Sequence, residues 1–192
     1  MTEDVYRFAL EVQQLEYLVY DYVINERNGV LRFSDDDLLK AIDTDFVRAS
    51  HILLTLKNDE EKATQMQKAQ SVLERLKNGE DFEVLKEEFS ADTDLKNNKD
   101  GYYFTHGEFQ NEFEYTAFEL EIGELSEIIT TDVGIHIVKR LPIEETYVKE
   151  HLEELRSSFK TALYYEMVEA ESEKFEYKYK DKYKDITLDF FN

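Results

Sequence analysis

At 192 residues, 42% of them hydrophobic and 14% aromatic, the chain can bury one real core with an appendage, which excludes disorder as its default state. It has no cysteine, which excludes disulfides, thiolate nucleophiles and cysteine-bound metals. The net charge of −21 has no basic segment against it, acids outnumbering bases 11 to 4 over residues 1–45, 20 to 11 over 46–143 and 13 to 8 over 144–192; nucleic acid and anionic membranes are therefore poor partners, and solubility is the simplest reading of the charge.

Residues 5–24 place Val5, Phe8, Val12, Leu15, Val19 and Val23 at steps of three and four, one apolar face of a helix. Thr2 is its candidate N-cap and Asn28-Gly29 its stop. Thr2-Glu3-Asp4 is acidic where a signal peptide begins basic, and an amphipathic opening of this kind fits a chain that has lost its leader. No run reaches the ~18 apolar residues of a membrane helix. Ser34 followed by Asp35, Asp36 and Asp37 starts a second helix through Ile42, with Asp37 completing a weaker form of the capping box.

A buried strand follows over 46–56, then a helix capped at Asn58 or Asp59 and ended by Gly79, with Met66, Ala69, Val72, Leu73 and Leu76 inward. Asp81 caps another helix that turns Phe82, Leu85 and Phe89 inward, and residues 90–101 read as a polar surface loop. Tyr102–Phe104 is a short strand, Asn111–Leu120 a short helix, and strands over 126–131 and 134–141 end at Pro142. From Tyr147 to about Lys178 the pattern is one helix, carrying Leu152, Leu155, Phe159, Leu163 and Met167. The Tyr/Lys tail that follows balances four lysines from Lys178 on with three aspartates and reads as a frayed end or packing strand, not as a nucleic-acid stacking platform. Segments 1–45 and 144–192 are both helical and amphipathic, so the economical arrangement packs them on one another beside an α+β core over 46–143.

Two apolar strands carry one histidine each, His51 and His136. Such imidazoles are either buried, neutral and hydrogen-bonded or part of a site. A metal held by His51, His136 and Asp92 is possible by ligand type, yet no dense ligand spacing supports it. Ser50 adjoins His51, but neighbours on a strand point to opposite faces, which misplaces that pair for nucleophilic catalysis. There is no phosphate-binding glycine loop and no nucleophile elbow.

The order of short motifs over 46–143 resembles the parvulin family of peptidyl-prolyl cis-trans isomerases. The pieces are Ala49-Ser50-His51-Ile52-Leu53, Leu76 to Phe82, Phe89-Ser90-Ala91-Asp92, Phe113-Glu114 to Ala117-Phe118, Ile122-Gly123-Glu124-Leu125-Ser126 and Thr131 to Ile137. The resemblance implies a four-stranded, antiparallel or mixed sheet surrounded by helices, and rotation about Xaa–Pro bonds with no cofactor and no metal. It implies His51 and His136 as paired site histidines and Asp92 as an acid beside the substrate amide. Phe109, Phe113 and Leu53 become walls of a proline pocket, with Gln110 and Thr131 as further contacts. The flanking helices resemble extensions of secreted bacterial parvulin foldases, which implies unfolded protein clients and an extracytoplasmic place. The chain departs from the family's Gly-Gly-Asp-Leu-Gly, having Asn98-Lys99-Asp100-Gly101-Tyr102. Lys57 is followed by Asp59, Glu60 and Glu61, which would repel a phosphate, so unphosphorylated Xaa–Pro bonds are the expected substrates. The competing expectation is a non-catalytic module that holds clients on a parvulin scaffold.

Overall fold

The computed structural model describes residues 3–24, 31–56, 61–94 and 101–174. Its elements run α1 (Glu3–Ile24), α2 (Asp35–Asp45), β1 (Val47–Thr55), α3 (Lys62–Lys77), α4 (Phe82–Phe89), β2 (Tyr102–Phe104), α5 (Asn111–Glu119), β3 (Ile129–Thr131), β4 (Gly134–Leu141), α6 (Glu145–Glu150) and α7 (Leu152–Ser172). The expected caps at Thr2, Asn28-Gly29 and Asn58 or Asp59, the first three residues of the Asn98–Tyr102 loop, and the tail from Tyr177 lie outside the described residues.

The four strands form one sheet in the order β2-β1-β4-β3, with every pairing antiparallel. This settles the α+β class and the sheet's direction together. Because side chains alternate along a strand, the sheet divides its residues cleanly. One face presents Val47, Ala49 and His51 of β1 with Val138 and His136 of β4, and α5 covers it through Phe113 and Ala117. The other presents Ile52 and Ile137 to Val72, Leu73 and Leu76 of α3 and to Phe82 and Leu85 of α4. β1 is thus buried on both faces, which is why its sequence reads as nearly continuous apolar residues and why a histidine in it must find a partner.

Two expectations are corrected. β3 begins at Ile129, not at 126, because Ser126 spends its hydroxyl as well as its backbone on β4: the N–H of Val138 donates to Ser126 Oγ and that of Ser126 to the Val138 carbonyl, both at 2.8 Å. The last helix is broken at His151 (φ −115°, ψ 22°), where the ring stacks on Tyr147 at 3.9 Å. The apolar face of α1 is largely open, with Phe8 66%, Leu15 62% and Tyr22 60% exposed, and Val23 is its buried member among the side chains described. α1 meets α7 through Tyr20, whose ring lies edge-on to Tyr164 at 5.0 Å and whose hydroxyl is 3.0 Å from that of Thr161. One neighbouring helix cannot cover so wide a face.

Candidate active site

The sheet face beneath α5 brings the two histidines together. Leu53 pairs with His136 and His51 with Val138 across β1 and β4, which sets the imidazoles diagonally on one face. Their Nδ1 atoms are 3.1 Å apart. On the far side of His51, Nε2 lies 2.5 Å from Oδ2 of Asp92. On the far side of His136, Nε2 lies 2.8 Å from the Thr131 hydroxyl. Both rings are buried.

These contacts make a directional relay. Its starting point is Asp92, whose carboxyl is held well below the usual carboxylate range, first by the hydrogen bond from His51 and then by Tyr102 and the Asp94 N–H, against burial acting the other way. Ionised Asp92 is an acceptor only, so His51 donates through Nε2–H. In the state with one N–H per imidazole, His51 Nδ1 then accepts from His136 Nδ1–H, and His136 Nε2 accepts from the Thr131 hydroxyl. Burial, reinforced by the neighbouring His51, pulls the His136 pKa from 6.5 down to about 4, so this ring stays neutral near pH 7. The Thr131 oxygen in turn accepts from the Val133 N–H at 3.3 Å.

Local structure explains how Asp92 arrives. After α4 the loop docks on β1, the Ala91 N–H donating to the Leu53 carbonyl at 2.8 Å and the Leu53 N–H to Ser90 Oγ at 3.1 Å. The Asp94 N–H closes a turn onto Asp92 Oδ1 at 2.9 Å. Ser90 is a positioning residue that sequence reading quoted within a motif without giving it a role. Ser50, by contrast, points to the other face and accepts from the buried Lys86 ammonium at 3.1 Å, as the alternation requires. Among the described residues no group of three or more histidines and carboxylates is arranged to hold a metal ion.

Aromatic rings roof the relay. Phe113 of α5 stands edge-on to His51 at 5.2 Å and to His136 at 5.7 Å, and stacks with Phe109 at 5.1 Å. Gln110, at the N-cap of α5, turns its side chain away from the helix and accepts the Asp132 N–H at 3.1 Å, tying α5 to the β3–β4 hairpin. Leu53 is half-buried beside that hairpin; its Cδ1 would lie 2.9 Å from a Cβ added at Gly134. The eight residues singled out from the sequence therefore gather on one face of the sheet and its rim. One group was missed: Tyr102 of β2 donates its hydroxyl to Asp92 Oδ2 at 2.7 Å. Nothing in its sequence pattern signals this, because the contact depends on the register of β2 against β1.

The Rotamase family, a PPIC-type PPIase domain, matches residues 51–141. Residues 51–141 are thus similar to a parvulin-type rotamase domain. The match begins inside β1 and takes in the other three strands, both histidines and Asp92. The foldase protein PrsA of Caldanaerobacter subterraneus subsp. tengcongensis is 37% identical over 130 residues, covering 65% of this chain and 40% of that protein. PrsA of Halalkalibacterium halodurans is 33% identical over 166 residues, covering 77% and 45%. The chain thus spans less than half the length of these curated relatives. Among solved structures, NmPin, the parvuline of Nitrosopumilus maritimus, is 34% identical, with 51% of this chain and 97% of that chain covered at a TM-score of 0.41.

Proposed function

We propose that this chain is a peptidyl-prolyl cis-trans isomerase that assists folding by acting on unphosphorylated Xaa–Pro bonds of protein clients. The observation that carries the reading is the relay Thr131–His136–His51–Asp92, ended by an ionised carboxylate and roofed by Phe113 and Phe109. The reaction needs no bond broken. Its barrier of roughly 18–20 kcal/mol is the amide's double-bond character, while cis and trans prolyl forms differ by about 0.5–1 kcal/mol. A site that favours the twisted amide over either planar form is sufficient.

In this reading Phe109, Phe113 and Leu53 hold the proline ring. Water excluded by those walls no longer favours the charge-separated planar amide, and the carbonyl turns while the ring stays fixed. Asp92 acts electrostatically beside the amide. The two histidines hold Asp92 in place and fix their own tautomers through it, and Gln110 and Thr131 keep the hairpin against the pocket. The acids following β1 favour unphosphorylated substrates. The resemblance to secreted foldases supports an extracytoplasmic place, and no helix among the described residues is long and apolar enough to cross a membrane. We assign residues 46–143 as the isomerase unit and residues 1–45 and 144–192 as a joined helical module. The open apolar face of α1 favours client holding as a second capacity of that module.

The test is an NMR exchange assay of Xaa–Pro isomerisation in unphosphorylated tetrapeptides with varied residues before proline. Acceleration that disappears in His136→Ala and Asp92→Ala, both still folded, is the expected outcome. A folded wild-type protein that leaves exchange at its uncatalysed tens to hundreds of seconds would sink the isomerase reading and leave client holding as the function.

A further inference from the structure

Three donors hold the Asp92 carboxylate, and they come from three separate parts of the chain: His51 on β1, the Asp94 N–H in its own loop, and the Tyr102 phenol on β2. The Tyr102 ring also stands edge-on to His51 at 5.8 Å and lies 5.3 Å from Phe109. We propose that Tyr102 is a positioning residue of this site, its hydroxyl fixing the Asp92 carboxylate and its ring completing the pocket wall beside Phe109. The inference rests on the isomerase reading above and adds to it a residue that the relay does not include.

Register and backbone place the ring. Tyr102 pairs with Ala49, so its side chain rises on the same face as Ala49 and, two residues on, His51. Gly101, immediately before it, has φ +89°, and a Cβ there would fall 2.6 Å from the Ala49 carbonyl oxygen. Only glycine tolerates both that rotation and that approach. The glycine therefore lets β2 press against β1 and fixes the height from which Tyr102 reaches across to Asp92. This is also where the chain departs from Gly-Gly-Asp-Leu-Gly, and a glycine in place of Tyr102 could not reach the carboxylate.

The chemistry suits the role. The side chain of Asp92 is only 11% exposed and stands on a loop, where its holds besides the phenol are one imidazole on Oδ2 and a backbone N–H of the same loop on Oδ1. The phenol adds a second anchor on Oδ2 from a different strand, which opposes rotation of the carboxylate. Burial and the adjacent Asp92 both push the phenol's ionisation upward, so it stays a donor across the working range of pH. A hydrogen bond to an ionised group is among the strong ones, and here it also spreads the negative charge that faces the substrate amide.

Two substitutions separate hydroxyl from ring. Tyr102→Phe keeps the ring: it should lower kcat about tenfold at nearly unchanged KM, and raise the midpoint of the Asp92 carboxyl titration, read by 13C NMR, by about one pH unit. Tyr102→Ala should add to this a rise in KM of about fivefold, from the lost wall. Melting curves of both variants check that each is folded. A phenol that merely filled the core would leave the Asp92 titration and the kcat of Tyr102→Phe at wild-type values, which would overturn the proposal. The titration needs no turnover. An inactive wild-type protein therefore removes the isomerase reading, while the Asp92 midpoint still decides whether Tyr102 holds that carboxylate.

Discussion

In the proposed reaction Asp92 is the one ionised group of the relay beside the substrate amide, and that position fixes what its loss should do. An interaction made mainly in the twisted state appears in kcat, whereas one made equally throughout appears in KM. Asp92→Ala should therefore lower kcat about 10- to 100-fold with KM changed far less; equal changes in both, measured on the same peptide, would contradict the electrostatic role. Phe113 is the opposite case. Its ring packs on both imidazoles and is itself buried in the core, so Phe113→Ala should raise KM and also destabilise the fold by about 3–5 kcal/mol. Thermal denaturation alongside the kinetic assay distinguishes the two effects.

His136 gives the site a pH dependence that can be worked out from its burial. In the unfolded chain its pKa is near 6.5; in the fold, burial first and the neighbouring His51 second pull it down to about 4. Between those values the unfolded state binds more protons than the folded one, so stability rises with pH across the window. The contribution is fully present above 6.5, declines as the pH falls, and is lost by about pH 4. At roughly 1.4 kcal/mol per pH unit the whole window is worth on the order of 3 kcal/mol. Urea unfolding of wild type and His136→Gln at several values from pH 7 to 4 should show the wild type losing more stability than the variant. Parallel slopes would mean that the ring is protonated in the fold or unburied.

At the scale of elements, local signals were legible and long-range ones were not. The capping box on α2 could be read from Ser34 and Asp37, and the structure has both halves: the Asp37 N–H donates to Ser34 Oγ at 3.2 Å and the Ser34 N–H to Asp37 Oδ2 at 3.1 Å. Ser34→Ala should cost about 1 kcal/mol, read as a lower denaturation midpoint, while Ser34→Asp should restore most of it. The alternation on β1 likewise separated His51 from Ser50 without a structure. The hairpin Ile129–Leu141 was overdrawn because Ser126 to Ile128 have strand composition, while their hydrogen bonding depends on a serine side chain reaching Val138. The break at His151 and the Tyr102 contact share one cause. Each is decided by which ring the rest of the fold brings alongside, Tyr147 in one case and Asp92 in the other, and neither partner can be chosen from spacing alone.

The described residues are joined through a third core that residues 46–143 share with their flanks. Phe46 and Tyr103 meet Leu38 and Ile42 of α2, Val148 of α6, and Leu155 and Phe159 of α7. Around this core Tyr103 stacks on Tyr147 at 3.7 Å, and Arg48 donates to the Pro142 carbonyl at 3.0 Å and to Glu144 at 2.5 Å. The buried Arg156 of α7 reaches back to Asp35 and to the Phe33 carbonyl, clasping the two flanks to one another. Among the described residues, none of these groups is hydrogen-bonded to the relay, which starts at His51 in the middle of β1. Residues 46–143 expressed alone should therefore keep the site and lose stability. Uncovering Phe46 costs about 1.5–3 kcal/mol by area burial alone, with Tyr103 adding to it, so the excised unit should melt well below the full chain. Its kcat at a temperature where it remains folded should stay within about twofold of the full chain's, since sites without shared partners act independently. A folded excised unit with a kcat lowered tenfold or more would mean that the helical flanks act on the pocket, and the hydrogen bond from Ser158 of α7 to Glu108, one residue before Phe109, would be the contact to cut next.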